Sequence, residues 1–356
     1  MGAQQQIEQL GQRWAQLQAA EPGIRIRNAA QLLGVSELEL LLTRSEGVQR
    51  LQPRFGELMA ALETVGEVMV LTRNEEVVHE VTGPVKGFKV SSSGVMGLCV
   101  GLIDLRVFLR HWRYGLVVQE QTRSGERESL QFFSAAGQAL HKVYRTEGTD
   151  RAAWQALVTE HLDLTPEPVV TEATPAKPAR VRDLQLDVEA LRQDWAALKD
   201  VHHFDAMLRK HQVDRLTALT LMGPAWCRPL QVSESLAQSV LDVVLDDVQA
   251  AACPVMVFVG NQGVVQIYTG VLERIRRTGD WLNVLDAAFN LHARTPLITD
   301  WWLVRRPSTD GHITSIEGYN SAGELVITLF GKRKPGEPEL VSWRESVRRL
   351  ESVLCA

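Results

Sequence analysis

The sequence predicts an α+β protein built as a tandem duplication of one unit, with a large antiparallel β-sheet and flanking helices in each copy. Three observations support this prediction: helical patterns stand near both ends of each copy, hairpin patterns lie between them, and the same order of patterns occurs twice. Helices kept apart from hairpins are typical of α+β folds, whereas strands alternating with helices would predict a parallel sheet. The chain has no GxGxxG, Walker A or GxSxG motif, which argues against several nucleotide-binding and hydrolase classes.

The composition is that of a globular chain with room for two domains. Its 356 residues are 45% hydrophobic and 23% charged, with a formal net charge of −5, which excludes a disordered chain and gives no bulk attraction for nucleic acid. No apolar run reaches the roughly 18 residues that a membrane helix needs, and the first residues show no export signal. We therefore expect a cytoplasmic protein without stable membrane insertion. Four scattered cysteines predict reduced packing residues rather than disulfides or zinc ligands: Cys99, Cys227, Cys253 and Cys355.

An internal repeat organises the chain. Residues 66–83 (GEVMVLTRNEEVVHEVTG) and 253–270 (CPVMVFVGNQGVVQIYTG) are identical at eight of eighteen positions. Two further pairs of blocks follow the same order at nearly the same shift, Leu10–Leu17 with Leu191–Leu198 and 129–144 with 315–330. Repetition at a fixed shift indicates a duplicated structural unit.

A proline-rich segment separates the two copies. Thr165–Arg180 reads TPEPVVTEATPAKPAR, with four prolines in sixteen residues and no periodicity, a composition that favours an extended, exposed linker. The predicted domains are therefore a first repeat unit at 1–164, a linker at 165–182 and a second repeat unit at 183–356.

The elements of the second copy can be placed in order. Leucine and tryptophan at helical spacing predict a helix over Leu186–Lys199, and a final helix is predicted over Pro338–Val353. Runs of β-branched and aromatic residues broken by Asn and Gly predict two hairpins between the helices. Their strands are Val255–Gly260 with Val264–Thr269, and Ile313–Tyr319 with Glu324–Phe330.

The two copies differ most after their first helix. Three of the nine histidines fall within Asp200–His211, where the first copy has Glu21–Ile24 and no histidine. Asp200 is a suitable N-cap, which predicts a helix from Val201. The face expected to pack on the core carries Phe204, Met207, Leu208 and His211.

On that helix His202 points away from the packing face, towards the side of Ala206 and Arg209, and His203 lies at the edge of the face. The spacing leaves two interpretations open: solvated histidines at a helix start, or an imidazole that meets a large, flat, anionic ligand. A metal site made of protein ligands alone is disfavoured because Asp205 is the one further candidate at metal-ligand spacing. One histidine is enough if a porphyrin supplies the other four nitrogens.

A second asymmetry lies in the first copy, where Arg106 falls opposite Ala288. Either Arg106 and Arg110 are surface cations on a short helix or turn, or Arg106 lies over an apolar ligand. Late in the second copy a set of basic residues could recognise carboxylates or serve solubility. They are Arg274, Arg276, Arg277, Arg305, Arg306, Lys332, Arg333 and Lys334.

Five segments together resemble the cytoplasmic haem-trafficking and hemin-degrading proteins of bacteria, the HemS/ChuS/PhuS family. They are DVHHF (200–204), DLRVFLRHW (104–112), VMVFVGNQG (255–263), WLNVLDAAFNLHAR (281–294) and FGKRKPGEPEL (330–340). The resemblance covers essentially the whole chain. It implies two similar α+β units and one haem in a cleft between the helical part of the second copy and the sheets, with contributions from the first copy.

The resemblance also implies roles for single residues. His202 corresponds to the axial iron ligand, and His203, which stands where other members have Gln, is an alternative ligand. Arg106 corresponds to the distal arginine and Phe108 to a ring contact. Haem propionates would be held by basic residues matching Arg215 and Arg333, with Arg305 or Arg306 less securely placed. Phe258 resembles an apolar wall residue, and Tyr268 departs from the His that many members have.

The predicted function is that of a carrier for haem b, which accepts imported haem and delivers it for iron release. Its expected partners are haem, the inner-membrane haem importer and a downstream haem oxygenase or another acceptor. The alternative is an enzyme that opens the haem ring, as a haem oxygenase does, with an external reductant; Arg106 would then act on the distal side, and no catalytic residue is assigned. DNA binding would rest on local basic patches alone, so nucleic acid is not an expected partner.

Overall fold

The chain forms two units, each of which includes a short segment from the other half of the sequence. The computed structural model describes residues 3–122, 125–174, 186–200, 203–233, 238–334 and 336–355. Unit 1 consists of Met1–Thr72, Glu80–Pro175 and Asn261–Gln266. Unit 2 consists of Arg73–His79, Ala176–Gly260 and Ile267–Ala356.

The first half of the chain contains five α-helices and nine strands among the described residues. The helices are α1 Ala3–Ala20, α2 Ile26–Leu33, α3 Glu37–Leu41, α4 Phe55–Ala61 and α5 Arg151–His161. The strands are β1 Val48–Leu51, β2 Gly66–Arg73, β3 Val77–Pro84, β4 Lys89–Val90, β5 Gly97–Cys99, β6 Asp104–Val107, β7 Tyr114–Thr122, β8 Gly125–Phe133 and β9 Ala139–Thr149.

The strands of this half form two antiparallel ladders. The larger has the order β1-β7-β8-β9-β2-β3, and the smaller has the order β6-β5-β4. In the larger ladder Leu116 and Phe132, on neighbouring strands, are fully buried. In the smaller ladder Leu98 of β5 lies directly opposite Arg106 of β6. These two side chains therefore share one face of the ladder.

The second half has the same number of described helices and strands. The helices are α6 Val188–Ala196, α7 Phe204–Lys210, α8 Arg215–Met222, α9 Val240–Ala250 and α10 Val341–Leu354. The strands are β10 Cys227–Leu230, β11 Val255–Gly260, β12 Val264–Gly270, β13 Ile275–Thr278, β14 Trp281–Leu285, β15 Phe289–Arg294, β16 Ile298–Ser308, β17 Gly311–Asn320 and β18 Leu325–Gly331.

The ladders of the second half repeat those of the first. Their orders are β10-β16-β17-β18-β11-β12 and β15-β14-β13, and the pairs with described registers are antiparallel. Each half thus ends in a helix and carries one six-stranded and one three-stranded ladder. The predicted α+β class and tandem duplication are confirmed.

The second-half hairpins form where the sequence predicts them. In the loop between β11 and β12, the Gly263 N–H donates to the Asn261 side-chain oxygen at 2.9 Å. In the turn between β17 and β18, Gly323 has φ of 78°, a conformation that glycine adopts without strain.

Helix α6, at Val188–Ala196, is shorter at both ends than the predicted Leu186–Lys199, and the last helix starts later than predicted. Helix α6 begins at Val188 because Asp187 caps it, accepting from the Ala190 N–H at 2.9 Å. The last helix begins at Val341 rather than Pro338, because the preceding segment places the Glu339 carboxylate against the Thr314 N–H.

Helices α6, α7 and α8 pack on one face of β16 and β17. Their shared core includes Trp195, Leu219, Val304 and Tyr319, all fully buried. The Trp195 indole N–H donates to the Arg305 carbonyl at 3.1 Å, which ties α6 to β16. This packing fixes the segment that carries the predicted histidines.

The linker region is described only in part. Residues 164–174 have no helix or strand and are mostly exposed. Several hydrogen bonds tie them to the rest of unit 1, among them one from the Tyr114 hydroxyl to the Val170 carbonyl at 2.6 Å and one from the Glu172 N–H to the Ala135 carbonyl at 2.9 Å. Residues 175–182 of the predicted linker lie outside the described residues. The four cysteines are free thiols, three of them buried, as the composition predicts.

Candidate functional site

The histidine-bearing segment leads directly into α7. The α-helix begins at Phe204 with His203 as its N-cap, and the predicted start at Val201 lies outside the described residues. The His203 N–H donates to the Asp200 carbonyl at 3.1 Å. His203 is exposed to solvent. His202 and Val201 lie outside the described residues, so axial ligation by His202 stays a prediction.

The two faces of α7 agree with the helical wheel. Phe204, Met207 and Leu208 are buried, whereas Ala206 and Arg209 on the other side are exposed. His211 ends the helix, and its Nε2 lies 2.7 Å from a carboxylate oxygen of Asp194. Helix α7 therefore presents a small residue and a cation to solvent, next to the histidine-bearing turn.

Phe204 is held by groups from three other elements. The edge of its ring meets Trp195 of α6 at 5.0 Å between centroids. The guanidinium of Arg306 lies 4.2 Å from the ring centroid, and that of Arg215 lies 5.0 Å from it. Cations over an aromatic face are attracted by its negative quadrupole. Because Phe204 follows His203 directly, these contacts also fix the backbone at His203.

The two arginines converge on one buried carboxylate. Glu317 is fully buried and accepts two hydrogen bonds from Arg215, both at 3.0 Å, and one from Arg306 at 2.6 Å. The hydroxyls of Ser315 and Tyr319 also donate to it. Burial alone would raise the pKa of Glu317, but the charges of both arginines outweigh burial and hold that pKa well below its usual range.

We call this group of side chains the Glu317 cluster; its members are Arg215, Arg306, Ser315, Glu317 and Tyr319. The cluster carries one more positive than negative charge. The nearest further acid to Arg215 is Asp205, at 3.7 Å, and its side chain is 69% exposed. A partner so exposed is screened by water and offsets little of the excess charge. A cationic patch therefore lies under the start of α7, where an anionic group of a ligand would be stabilised.

The other predicted propionate partners differ in their surroundings. Arg305 points to the opposite sheet face and pairs with Glu351 of α10 at 2.7 Å, whereas its neighbour Arg306 lies beside α7. Arg333 follows β18, is mostly buried, and pairs with Asp310 at 3.3 Å. The sequence left Arg305 and Arg306 open as alternatives. Of these two residues, Arg306 is the one that lies beside the histidine-bearing segment.

Phe258 lies on a half-buried aromatic face of the sheet. Along β11 the residues Val255, Val257 and Val259 are buried, while Met256 and Phe258 on the other side are half-buried. The Phe258 ring meets Phe330 of β18 in a T-shaped contact, with centroids 5.2 Å apart. The role of Phe258 as an apolar wall of a ligand site stays a prediction.

The sequence reasoning did not single out Phe330 or Glu317. Both lie on predicted strands, and strand periodicity alone places Ser315, Glu317 and Tyr319 on one face. An acid between apolar residues in the run SIEGY is the signal that could have drawn attention to Glu317. Its partner Arg215 comes from a distant part of the chain and left no such signal.

In unit 1, Arg106 lies on strand β6, so its placement on a short helix or turn is wrong. Its Nη1 donates to the Cys99 carbonyl at 3.3 Å and pairs with Asp104, and its side chain is 35% exposed. Phe108, two residues on, is half-buried. Leu98, directly across the ladder from Arg106, is 42% exposed. A fixed cation thus stands beside exposed apolar surface.

Tyr268 and His79 serve packing. Tyr268 stacks on Phe289 with centroids 3.9 Å apart, and burial raises the pKa of its hydroxyl. His79 is fully buried, and its Nε2 lies 3.2 Å from the Val257 carbonyl. Within the described ranges, no group of three or more His, Cys, Asp or Glu side chains is arranged to hold a metal ion, and no helix is long and apolar enough to cross a membrane.

Comparisons with known proteins identify the same family by its domain model and by its individual members. The model of the haemin-degrading HemS.ChuX domain matches the chain twice, at residues 34–161 and 212–350. The hemin transport protein HmuS of Yersinia pestis is 36% identical over 342 residues, which are 96% of this chain and 97% of that protein. Two matched segments in one chain agree with the duplication seen in the sequence and in the ladders.

Solved structures agree at the level of the whole fold. The crystal structure of holo-PhuS, a haem-binding protein from Pseudomonas aeruginosa, is 42% identical and has a TM-score of 0.91, with 98% of this chain and 99% of that chain covered. ChuS from Escherichia coli, described as a haem-degrading enzyme, is 34% identical with a TM-score of 0.87, covering 96% and 99% of the two chains. On these matches and on its two HemS.ChuX segments, the chain belongs to the HemS family of haemin-degrading domain proteins.

Proposed function

We propose that this protein binds haem b and carries it to an acceptor for iron release. The observation that carries the proposal is the Glu317 cluster with its excess positive charge, next to the histidine-bearing turn of unit 2. The haem-binding relative PhuS and the hemin transport relative HmuS support the same function.

The chemistry of haem fits the described residues. A porphyrin has two apolar faces, and the half-buried Phe258 and Phe330 offer aromatic surface whose burial is worth about 25 cal/mol per Å². Its propionates are anions, which the excess charge at Arg215 and Arg306 would stabilise. Imidazole is a common haem iron ligand, and the exposed His203 and the adjacent His202 supply it.

Hemin titration tests the proposal. We expect wild-type protein to shift the Soret band of hemin at one equivalent. The double variant His202→Ala/His203→Ala should weaken binding by roughly tenfold or more, because the iron loses its protein ligand. His292→Ala, which removes a histidine of the small ladder in unit 2, is the matched control and should bind as wild type does. Tight binding by the double variant would overturn histidine ligation, and absence of any Soret shift in wild type would overturn the function.

The two single variants identify the iron ligand. If His202 ligates, as the resemblance implies, His202→Ala should change the Soret and visible bands and His203→Ala should leave them nearly unchanged. The reverse result would assign the ligand to His203. Spectra are the appropriate readout, because a neighbouring histidine can rescue affinity without restoring the original ligand geometry.

The carrier role places the protein in the cytoplasm, between an inner-membrane haem importer and a haem oxygenase or another acceptor. Single-histidine ligation leaves the sixth coordination position open or weakly held, which suits release to a partner. Transfer is measured by mixing the hemin complex with an apo acceptor and following the change from one spectrum to the other. Transfer no faster than release into buffer would argue against a dedicated acceptor.

The second candidate function is oxidative opening of the haem ring with an external reductant. The observation in its favour is Arg106, a fixed, partly exposed cation on an apolar ladder face, since a cation beside iron-bound oxygen species polarises them. The relative ChuS is described as a haem oxygenase. A single-turnover reaction with ascorbate in the presence of catalase decides this: product that persists indicates an enzyme, and product abolished by catalase indicates free peroxide.

A further inference from the structure

The face of the second-half sheet opposite α7 carries a cavity lined by both basic and acidic side chains. Its volume is about 460 Å³, and its walls come from the β16–β17 hairpin and from α10. Cavities of this size suit a small-molecule ligand. The basic side chains in the wall are Arg305, His312, Arg344 and Arg348.

Strand register places this cavity apart from the Glu317 cluster. Arg305 pairs across the ladder with Thr314, and Arg306 with Ile313. Side chains alternate between the two faces of a strand, so Arg305 and Thr314 face α10 whereas Arg306 and Glu317 face α7. The cavity is therefore not part of the site proposed for haem.

The acids in the cavity wall already have partners. Glu351 pairs with Arg305 at 2.7 Å, and Asp310 pairs with Arg333 at 3.3 Å. Glu339 accepts hydrogen bonds from the Thr314 N–H and hydroxyl. Burial raises the pKa of Glu339, while its hydrogen bonds from Thr314 and the charges of Arg344 and Arg333 act in the opposite direction.

Unlike Glu351 and Asp310, Arg344 and Arg348 form no ion pair among the described residues. They are exposed, one turn apart on α10, and within the described ranges no carboxylate lies within 4.0 Å of either guanidinium. Like charges at this spacing repel one another on a helix. An anion bound in the cavity would relieve the repulsion, and two guanidinium groups offer the forked donors that phosphate oxygens accept.

We propose that this cavity binds the phosphate group of a small phosphorylated molecule, with Arg344 and Arg348 as its main donors and His312 beside them. Phosphate is the oxyanion that best matches two neighbouring guanidinium groups, because it presents several acceptor oxygens and nearly two negative charges to them. The β16–β17 hairpin supplies the rest of the wall.

The test uses the full chain and two probes, inorganic phosphate and glycerol 3-phosphate, at constant ionic strength set with chloride. Isothermal titration calorimetry should show saturable binding. Arg344→Gln/Arg348→Gln should weaken it about tenfold or more, with an unfolding temperature no lower than that of wild type because the repulsion is also removed. Arg276→Gln, which removes an exposed charge from β13, is the control and should bind as wild type does.

The calorimetric results distinguish an organic phosphate ligand, free phosphate and the absence of a phosphate site. Tighter binding of glycerol 3-phosphate than of inorganic phosphate indicates an organic phosphate, and the reverse order indicates the free ion. No saturable binding, or equal binding by wild type and the double variant, overturns the proposal. Hemin affinity should be the same with and without phosphate, so failure here is distinguishable from failure of the haem proposal.

Discussion

Arg106 is held in place by groups of its own ladder. Its guanidinium pairs with Asp104 and donates to the Cys99 carbonyl, and it lies across from the exposed Leu98. Burial raises the pKa of Asp104, although the arginine opposes this effect. The cation is thus oriented before any ligand arrives, as preorganised electrostatic stabilisation requires.

The replacement Arg106→Leu tests its part on the distal side of haem. We expect the hemin complex to form, because the leucine keeps the face apolar, but its visible bands and the pKa of its iron-bound water should change when the cation is lost. Absorption spectra across a pH series measure both. Arg110→Leu is the matched control, since Arg110 is an exposed arginine four residues further on. Identical spectra for Arg106→Leu and wild type would remove Arg106 from the site.

At the level of elements, α7 and α8 are fixed to the sheet by charge as well as by apolar packing. Arg215 stands in the first turn of α8, Arg306 on β16 and Glu317 on β17. Phe204 of α7 lies against both guanidinium groups. The histidine-bearing turn between α6 and α7 is therefore positioned by the Glu317 cluster rather than by its own helix propensity.

The replacement Glu317→Gln should destabilise this arrangement strongly. It leaves the buried Arg306 and the half-buried Arg215 without their shared carboxylate, and breaking a buried ion pair costs about 3–5 kcal/mol of unfolding free energy. Urea unfolding measures the loss. Glu345→Gln, an exposed acid on α10, should change the unfolding free energy by less than about 0.5 kcal/mol.

Hemin binding by Glu317→Gln shows whether the Glu317 cluster orients the histidines or only stabilises the fold. If the variant is folded at low temperature, its hemin spectrum should differ from that of wild type, because the histidine turn is less well held. A variant with a lower unfolding free energy and an unchanged hemin spectrum would show that the cluster stabilises the fold without orienting the histidines.

At the level of the whole molecule, two buried histidines make stability depend on pH. Burial lowers the pKa of His79 and of His141 to about 3. The unfolded chain binds a proton at each site below pH 6.5, whereas the folded chain stays neutral down to about pH 3. Stability should therefore rise with pH across this window and be lost as pH falls.

Each of these histidines should cost about 2 kcal/mol of unfolding free energy between pH 8 and pH 5. Urea unfolding of the haem-free protein at the two pH values measures the loss. The variant His141→Gln has no titrating group at that position and should lose about 2 kcal/mol less than wild type on the same acidification. An equal loss in both proteins would contradict the assignment to His141.

Much of the fold followed from local patterns. The helix and hairpins of the second copy appear within a few residues of their predicted bounds, because periodicity and turn residues such as Asn261 and Gly263 act over short distances. The predicted start of α7 at Val201 lies outside the described residues, and the described α-helix begins at Phe204. The strand at Arg106 was missed because a four-residue strand has too few residues to show a period.

The sequence by itself determined the duplication, the α+β class and the family, since these depend on repeated patterns and on motifs that neighbouring residues carry. Only the tertiary structure decided that Arg306 rather than Arg305 lies beside α7 and that Glu317 joins Arg215 to Arg306. The reason is physical: a side chain's face depends on strand register, and a buried ion pair joins residues about a hundred positions apart. Neither leaves a local pattern in the sequence.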